Sequence, residues 1–410
     1  MTQGETGGSL PLSGVRILDL SRMIAAPWCT QMLADLGAEV IKIERPGKGD
    51  DMRGYGPPYL KNRDGGNDDS PYYVSTNRNK KSVTVDLSTP EGADVIRQLA
   101  KVCDILVENY KVGDLKRYGL DYESMRKLNP RLIYCSVTGF GQTGPDAQRP
   151  GLDTLFQATS GLMSMTGEAD GPPQKVGMPI SDFIGGMYAT VAVQAALRHR
   201  EVNGGSGQHI DISLLECTMA SFGSRAQTYL VSGQVPQRRG ASTPANEPAG
   251  LYACADGDIV LSAGSDNQFV KFARALGRDD WVKDARYHTR SQRNIHRLEL
   301  NAEIGPLLAK HDRAHWLEQF KDGGVMCAPI NDVAEAFAEP QIRARGMVTH
   351  AEHPRAGRVP LIANPIRYSE TPIPPPRISP DLGEHTDDVL STLLGMSASD
   401  IAALRAKKAL

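Results

Sequence analysis

Apolar and polar positions first fall into a regular order between residues 15 and 44. VRILDL is a continuous apolar run, APWCTQMLADLG repeats apolar residues at helical spacing, and AEVIKIE returns to a run of strand character. Pro27 suits a first helical turn and Gly37 a helix C-terminus, so this stretch predicts a strand–helix–strand unit. SVTVDL, PEGADVIRQLAKV and DILVEN repeat the order, and RLIYCSVT adds a strand after a short helix. Between the repeats, RPGKGDDMRGYGPPYLKNRDGGNDDSP holds too much Gly and Pro for regular structure. Strands without polar alternation, separated by helices, imply a parallel sheet covered on both faces. GLDTLFQATSGLM and the segment after Asp182 read as apolar helices, and GQHIDISLLECTMASF as a strand entering a helix.

The pattern changes near VSGQVPQRRGASTPANEPAG, where Pro, Gly and polar residues dominate. YACADGDIVLSAGS then predicts a hairpin with a DGD turn, and residues 225 to about 330 read as a smaller α+β module. The tail carries HPRAGRVPLIANPIRYSE, the proline-rich TPIPPPRISP and a last helix from about Thr386. At 410 residues, two domains are the natural expectation.

Composition narrows the class. With 40% hydrophobic and 23% charged residues and a net charge of −2, nothing favours a nucleic-acid or membrane partner. No apolar run is expected to reach the roughly 18 residues that cross a bilayer. MTQGETGGSLPLSG has no apolar core of a signal peptide. The six cysteines are scattered, several within apolar segments, which predicts reduced thiols and a cytoplasmic setting.

Candidate chemistry is sparse. GFGQTG (139–144) follows a strand, but Pro145 and Pro150 prevent the helix that a dinucleotide fingerprint needs. His311 and His315 stand one turn apart on a predicted helix without a third ligand, so a solvated face is expected and no metal site. Neither a Gly-x-Ser-x-Gly elbow nor a Walker A loop occurs. Arg45 follows VIKIE, and Lys111 and Arg117 follow DILVEN; at the carboxyl edge of a parallel sheet such cations suit a polyphosphate ligand. Spacing alone leaves open whether they are ordinary surface charges. Asp182, in VGMPISDFIGG, is either the cap of the helix that follows or a carboxylate facing a pocket.

LDLSRMIAAPWCTQMLADLGAEVIKIERPGKGDDMR, NRNKKSVTVDL, DILVENYKVGDLKRYGL, NPRLIYCSVTGFGQTGP and GEHTDD together resemble the class III CoA-transferases, the formyl-CoA and carnitine CoA-transferase family. SGLM, FAEPQ and PINDV add a likeness to its succinyl-CoA:glutarate branch. The resemblance implies an α/β fold. A Rossmann-like large domain would comprise residues 1–224 and a C-terminal return over 331–410, with a small α+β domain at 225–330, in a homodimer of interlocked rings. Asp182 matches the family's nucleophile. Arg45, Val85, Asp86, Asn109, Tyr110, Lys111 and Arg117 fall on positions lining the nucleotide and phosphates, and Ile24 and Ala25 on the loop beside the thioester. CoA and acyl-CoA would be substrates, with no tightly bound cofactor. Asp153, a candidate substrate-binding residue, stands in a PGLD stretch where the related α-methylacyl-CoA racemases carry a histidine–aspartate pair; Leu152 replaces the histidine, which disfavours epimerisation. A non-catalytic CoA-binding protein is the other alternative. Formyl-CoA transferases carry a glutamine where Ile24 stands, and a four-glycine loop absent here between residues 238 and 252. Arg22 either holds the distal carboxylate of a dicarboxylic acid or pairs internally.

Overall fold

The structure, a computed structural model, describes residues 9–243 and 246–410. The chain divides into two compact units. The first runs to Leu162, resumes at Val176–Leu230 and ends with Arg343–Leu410; the second comprises Met163–Lys175 and Val231–Ile342. The expected small module of 225–330 is therefore shifted to 231–342 and joined by a short earlier segment. Arg238 fastens that segment within the second unit, donating to the carbonyls of Glu168 and Gly171.

The first unit is built on six strands, β1 (Arg16–Asp19), β2 (Glu39–Glu44), β3 (Lys81–Thr84), β4 (Ile105–Glu108), β5 (Ile133–Thr138) and β6 (His209–Ser213). They pair in parallel in the order β3-β2-β1-β4-β5-β6. The order reverses between β1 and β4, and at such a switch point the loops on the carboxyl edge part to leave a crevice. The helices up to residue 202 are, in chain order, α1 (Ala25–Asp35), α2 (Pro71–Asn77), α3 (Pro90–Lys101), α4 (Tyr122–Leu128), α5 (Asp153–Ser160), α6 (Leu162–Met165), most of which belongs to the second unit, and α7 (Ile180–Val202).

Neighbouring strand residues point to opposite faces, so each apolar run feeds two cores. Ile17, Val40 and Ile105 pack with Cys29 and Leu33 of α1 and Ala189 and Val193 of α7. Leu18, Ile41 and Leu106 pack with Val95, Ile96 and Leu99 of α3 and with Val389, Leu390 and Ile401 from the C-terminal tail. All six cysteines are free thiols.

Four expectations are corrected. The Gly- and Pro-rich stretch after β2 does contain regular structure, a single 3₁₀ turn at Asp51–Gly54 that Asp50 caps by accepting the Met52 amide. The tail forms a hairpin, Val348–His353 against Gly357–Ile362, and the helix at Thr386–Leu394 is followed by another at Ala398–Ala406. In the second unit the hairpin Ala249–Cys254/Gly257–Ser262 turns on Ala255 and Asp256, with Gly257 already in the strand. Finally, α7 is long and apolar enough to cross a membrane by length and composition. One face of it is buried in the core, and Met187, Tyr188 and Val191 are exposed on the rest.

Close approach to α7 explains its two glycines. A Cβ on Gly186 would lie 2.5 Å from the Ala25 carbonyl oxygen and 3.0 Å from Trp28 Cδ1; one on Gly185 would lie 2.2 Å from Leu214 Cδ2. Gly186→Ala should therefore destabilise the protein by about 1–3 kcal/mol through overpacking, although alanine is the better helix former by about 1 kcal/mol. Urea unfolding checks this; an unchanged midpoint would mean that α1 can simply move aside.

Candidate active site

The N-terminus of α7 is organised from outside. Its N-cap, Pro179, offers no side-chain acceptor, and the Ser181 amide instead donates to Asp153 Oδ1 at 2.8 Å. The other Asp153 oxygen accepts from Gln157 Nε2 at 2.6 Å, and Gln157 Oε1 accepts the Val176 amide at 2.8 Å. Gln157 is fully buried, so the VGMPI approach to α7 is stapled to α5. Asp153, which the resemblance placed near substrate, is the capping group. Asp182, one residue beyond the capped amide, is left without a hydrogen bond or ion pair among the described residues. Burial, with the Asp153 charge nearby, pushes its carboxyl up to about 7. The reading of Asp182 as a helix cap is thereby excluded.

Gly186 sits one helical turn after Asp182 and so shares its face of α7. The start of α1 lies against that face: the Ala25 carbonyl approaches Gly186, and the Trp28 ring meets Phe183 edge-on at 4.9 Å. Ile24, the uncapped N-cap of α1, and Ala25 are thus brought to the Asp182 side of the helix.

A cavity of about 390 Å³ opens at the switch point, lined by the segments that follow β1, β2, β3 and β4. Of the residues singled out above, Arg22, Arg45, Val85, Asp86, Tyr110 and Arg117 line it. Lys48, Asp51 and Asp114, not singled out, do so too. Arg45 and Arg117 are exposed, and neither forms an ion pair among the described residues. Lys48 bonds Asp51 at 2.6 Å and, with Arg22 and Arg45 nearby, holds that carboxyl below its usual range. The Asp86 carboxylate turns back to the Ser88 amide and hydroxyl. Arg22 stacks over Tyr110, 4.9 Å from the ring centre, and faces Asp51 at 3.8 Å. Lys111 belongs to a neighbouring hollow of about 280 Å³ with Glu108, Ser136 and His209. Asn109 lines neither; its amide is spent on the backbone of Arg22, accepting from N at 2.9 Å and donating to O at 2.6 Å.

Beneath the cavity lies a buried ionic network that sequence reasoning missed. Lys42 pairs with Asp50 at 2.9 Å and Lys80 with Asp19 at 3.1 Å, all four side chains fully buried. Burial lowers Lys80 to about 8 despite Asp19. Burial would raise Glu44, yet Arg53, bonded to both its oxygens, brings it down to about 2. The network supports the turn between β1 and α1, where Met23 holds φ = 71°. For a residue with a Cβ that left-handed conformation costs about 1–2 kcal/mol. The available signal was Lys42 itself, a charge inside a strand buried on both faces.

His311 and His315 stack at 4.0 Å, but the helix begins at Arg313 with Asp312 as its cap, so His311 lies outside it. Asp68, His353 and Asp381 bring potential ligand atoms within 4.8 Å of one another. There the Arg355 guanidinium already bonds both carboxylates, at 2.6 and 2.5 Å.

Residues 12–386 match the family model described as CoA-transferase family III. The chain belongs to this family. This CoA-transferase is 44% identical over 383 residues to succinate–glutarate CoA-transferase of Agrobacterium fabrum, covering 93% of this chain and 96% of that one. It is 39% identical to human succinyl-CoA:glutarate CoA-transferase, covering 96% of this chain and 88% of that one. Among solved structures, a CaiB/BaiF family protein from Brucella suis superposes with a TM-score of 0.85 at 40% identity, covering 94% of this chain and all of that one.

Proposed function

We propose that this CoA-transferase moves CoA from a succinyl-CoA-type donor to a dicarboxylic acid, with Asp182 as the covalent carrier. The observation that carries the reading is a half-buried carboxylate with no hydrogen-bond or ion-pair partner among the described residues, at the start of a helix whose cap comes from another residue. An Asp182 oxygen attacks the thioester carbonyl carbon, the C–S bond breaks, and an acyl-aspartyl anhydride and CoA thiolate form. The thiolate attacks the aspartyl carbonyl and expels the donor acid, leaving an aspartyl-CoA thioester. The acceptor carboxylate then reverses both steps and departs with CoA. Each exchange trades bonds of similar energy, so neither ATP nor metal is needed. Water must be kept from both intermediates. The cavity at the switch point suits the nucleotide end of CoA, with Arg45 and Arg117 free to meet phosphate. The ionised nucleophile is a minor species below pH 7, which makes its desolvated environment part of the chemistry.

Both named relatives pair succinate with glutarate, which supports those two acids as the first to test. A donor–acceptor matrix with mass spectrometry of the CoA products is the experiment. We expect succinyl-CoA with five- or six-carbon dicarboxylates to exchange fastest; failure of every acid pair would reject the reading. Exchange at the α-carbon of a 2-methylacyl-CoA in deuterated water, without an acceptor acid, would favour the racemase instead. The Met187, Tyr188 and Val191 face of α7 supports a homodimer, which sedimentation at a single-chain mass would remove.

A further inference from the structure

We propose that Asn109, with Asp50 and Lys42, is a positioning residue for transfer: the three side chains hold the Ser21–Met23 turn and so fix Ile24 and Ala25 beside Asp182. This rests on the Asp182 reading. Three consecutive residues of the turn have their backbone groups taken by side chains distant in sequence. Lys42 Nζ donates to Ser21 O at 2.9 Å. Asn109 bonds both N and O of Arg22. Asp50 Oδ1 accepts the Met23 amide at 3.2 Å.

Locally, Asp19 Oδ1 accepts from the amide and hydroxyl of Ser21, but among the described residues no neighbouring side chain holds Arg22 or Met23. The Met23 side chain is exposed, and Ile24 makes no side-chain cap, yet Met23 keeps φ = 71°. A left-handed residue with a Cβ persists only where its surroundings over-determine it, and such residues gather at functional sites. The clamps come from β2, from the loop after β2 and from the end of β4. Asp50 and Lys42 also border the switch-point cavity, as does Arg22. The turn is therefore the piece of backbone that joins the cavity wall to the start of α1, which packs on the Asp182 face of α7. If it relaxed, Ile24 and Ala25 would shift, and Arg22 with them, while Arg45 and Arg117 stayed in place. The clamp should act on the rate of transfer more than on CoA affinity.

The test uses Asn109→Ala, Asn109→Asp and the double variant Asn109→Ala/Met23→Gly. Glycine adopts positive φ freely, so in the double variant the turn needs less holding. We expect Asn109→Ala to lower kcat by about 10- to 100-fold, the scale of a small misplacement at a reacting centre, with KM for acyl-CoA changed far less. Amide hydrogen exchange should quicken at Arg22 and Met23, and Met23→Gly should restore most of kcat. Asn109→Asp keeps the acceptor for the Arg22 amide and loses the donor, so it should fall between; it also serves if the alanine variant does not fold. Unchanged kcat in folded Asn109→Ala, or a loss that Met23→Gly does not relieve, overturns the proposal. If the wild type exchanges CoA between no acids, the Asp182 reading falls instead. Unaltered protection of the two amides in Asn109→Ala would then separately reject the clamp.

Discussion

Asp182→Ala should lower CoA transfer by about 10³-fold or more, the scale on which loss of a covalent nucleophile registers, while CoA still binds. Arg22, Arg45 and Arg117 stand in a cavity that Asp182 does not line, and the cap of α7 is Asp153. The substitution therefore removes the attacking oxygen without removing the residue that holds the helix. Given donor thioester and no acceptor, the wild type should gain the mass of a covalent CoA adduct and the variant should not. Calorimetry should find comparable CoA affinity in both. Wild-type turnover in the variant would remove Asp182 from the chemistry. Loss of CoA binding along with turnover would mean that the carboxylate is structural.

The second large effect is on pH. Burial and the Asp153 charge raise Asp182 to about 7, so the ionised form, the one that would attack a thioester, is in the minority below that. kcat/KM should climb about tenfold per pH unit below about 6 and level off above about 8. Asp153→Asn keeps an acceptor for the Ser181 amide and removes the charge, so the rising limb should move part of the way to lower pH; burial, the larger cause, remains. Stability should run the opposite way. A carboxyl raised above its ordinary value near 4 favours the fold in its protonated form. That contribution is complete below about pH 4 and is lost as pH rises through about 7. Asp182→Asn should thus gain stability relative to the wild type at pH 8, by up to about 3–4 kcal/mol at 1.36 kcal/mol per pKa unit. The advantage should shrink towards pH 5. A pH-independent difference in denaturant midpoints would show that Asp182 titrates normally.

Much of the fold was legible because the buried strands are apolar runs without polar alternation. VRILDL, AEVIKIE and DILVEN therefore mark β1, β2 and β4, and loops on one edge of a parallel sheet follow from their order. Five of the residues that resemblance placed around the nucleotide, Arg45, Val85, Asp86, Tyr110 and Arg117, do line the switch-point cavity. What stayed hidden depends on contacts between distant segments. Asn109 could be assigned to a ligand because its bonds to Arg22 span 87 positions. The capping role of Asp153 could not be read because its bond to the Ser181 amide exists only once α5 meets α7. The hairpin at Val348–His353 and Gly357–Ile362 escaped because its prolines and charges obscure the alternation.

The tail that closes the second core has a consequence for biosynthesis. Leu18 and Leu106, laid down early, find Val389, Leu390 and Ile401 as neighbours only long after β6 has been translated, and the Ala409 carbonyl accepts the Asp86 amide later still. Until then one side of the nascent sheet remains open to water and to other nascent chains. Completing the sheet at β6 is therefore not enough to bury that face, and folding of the first unit waits on the residues of the tail.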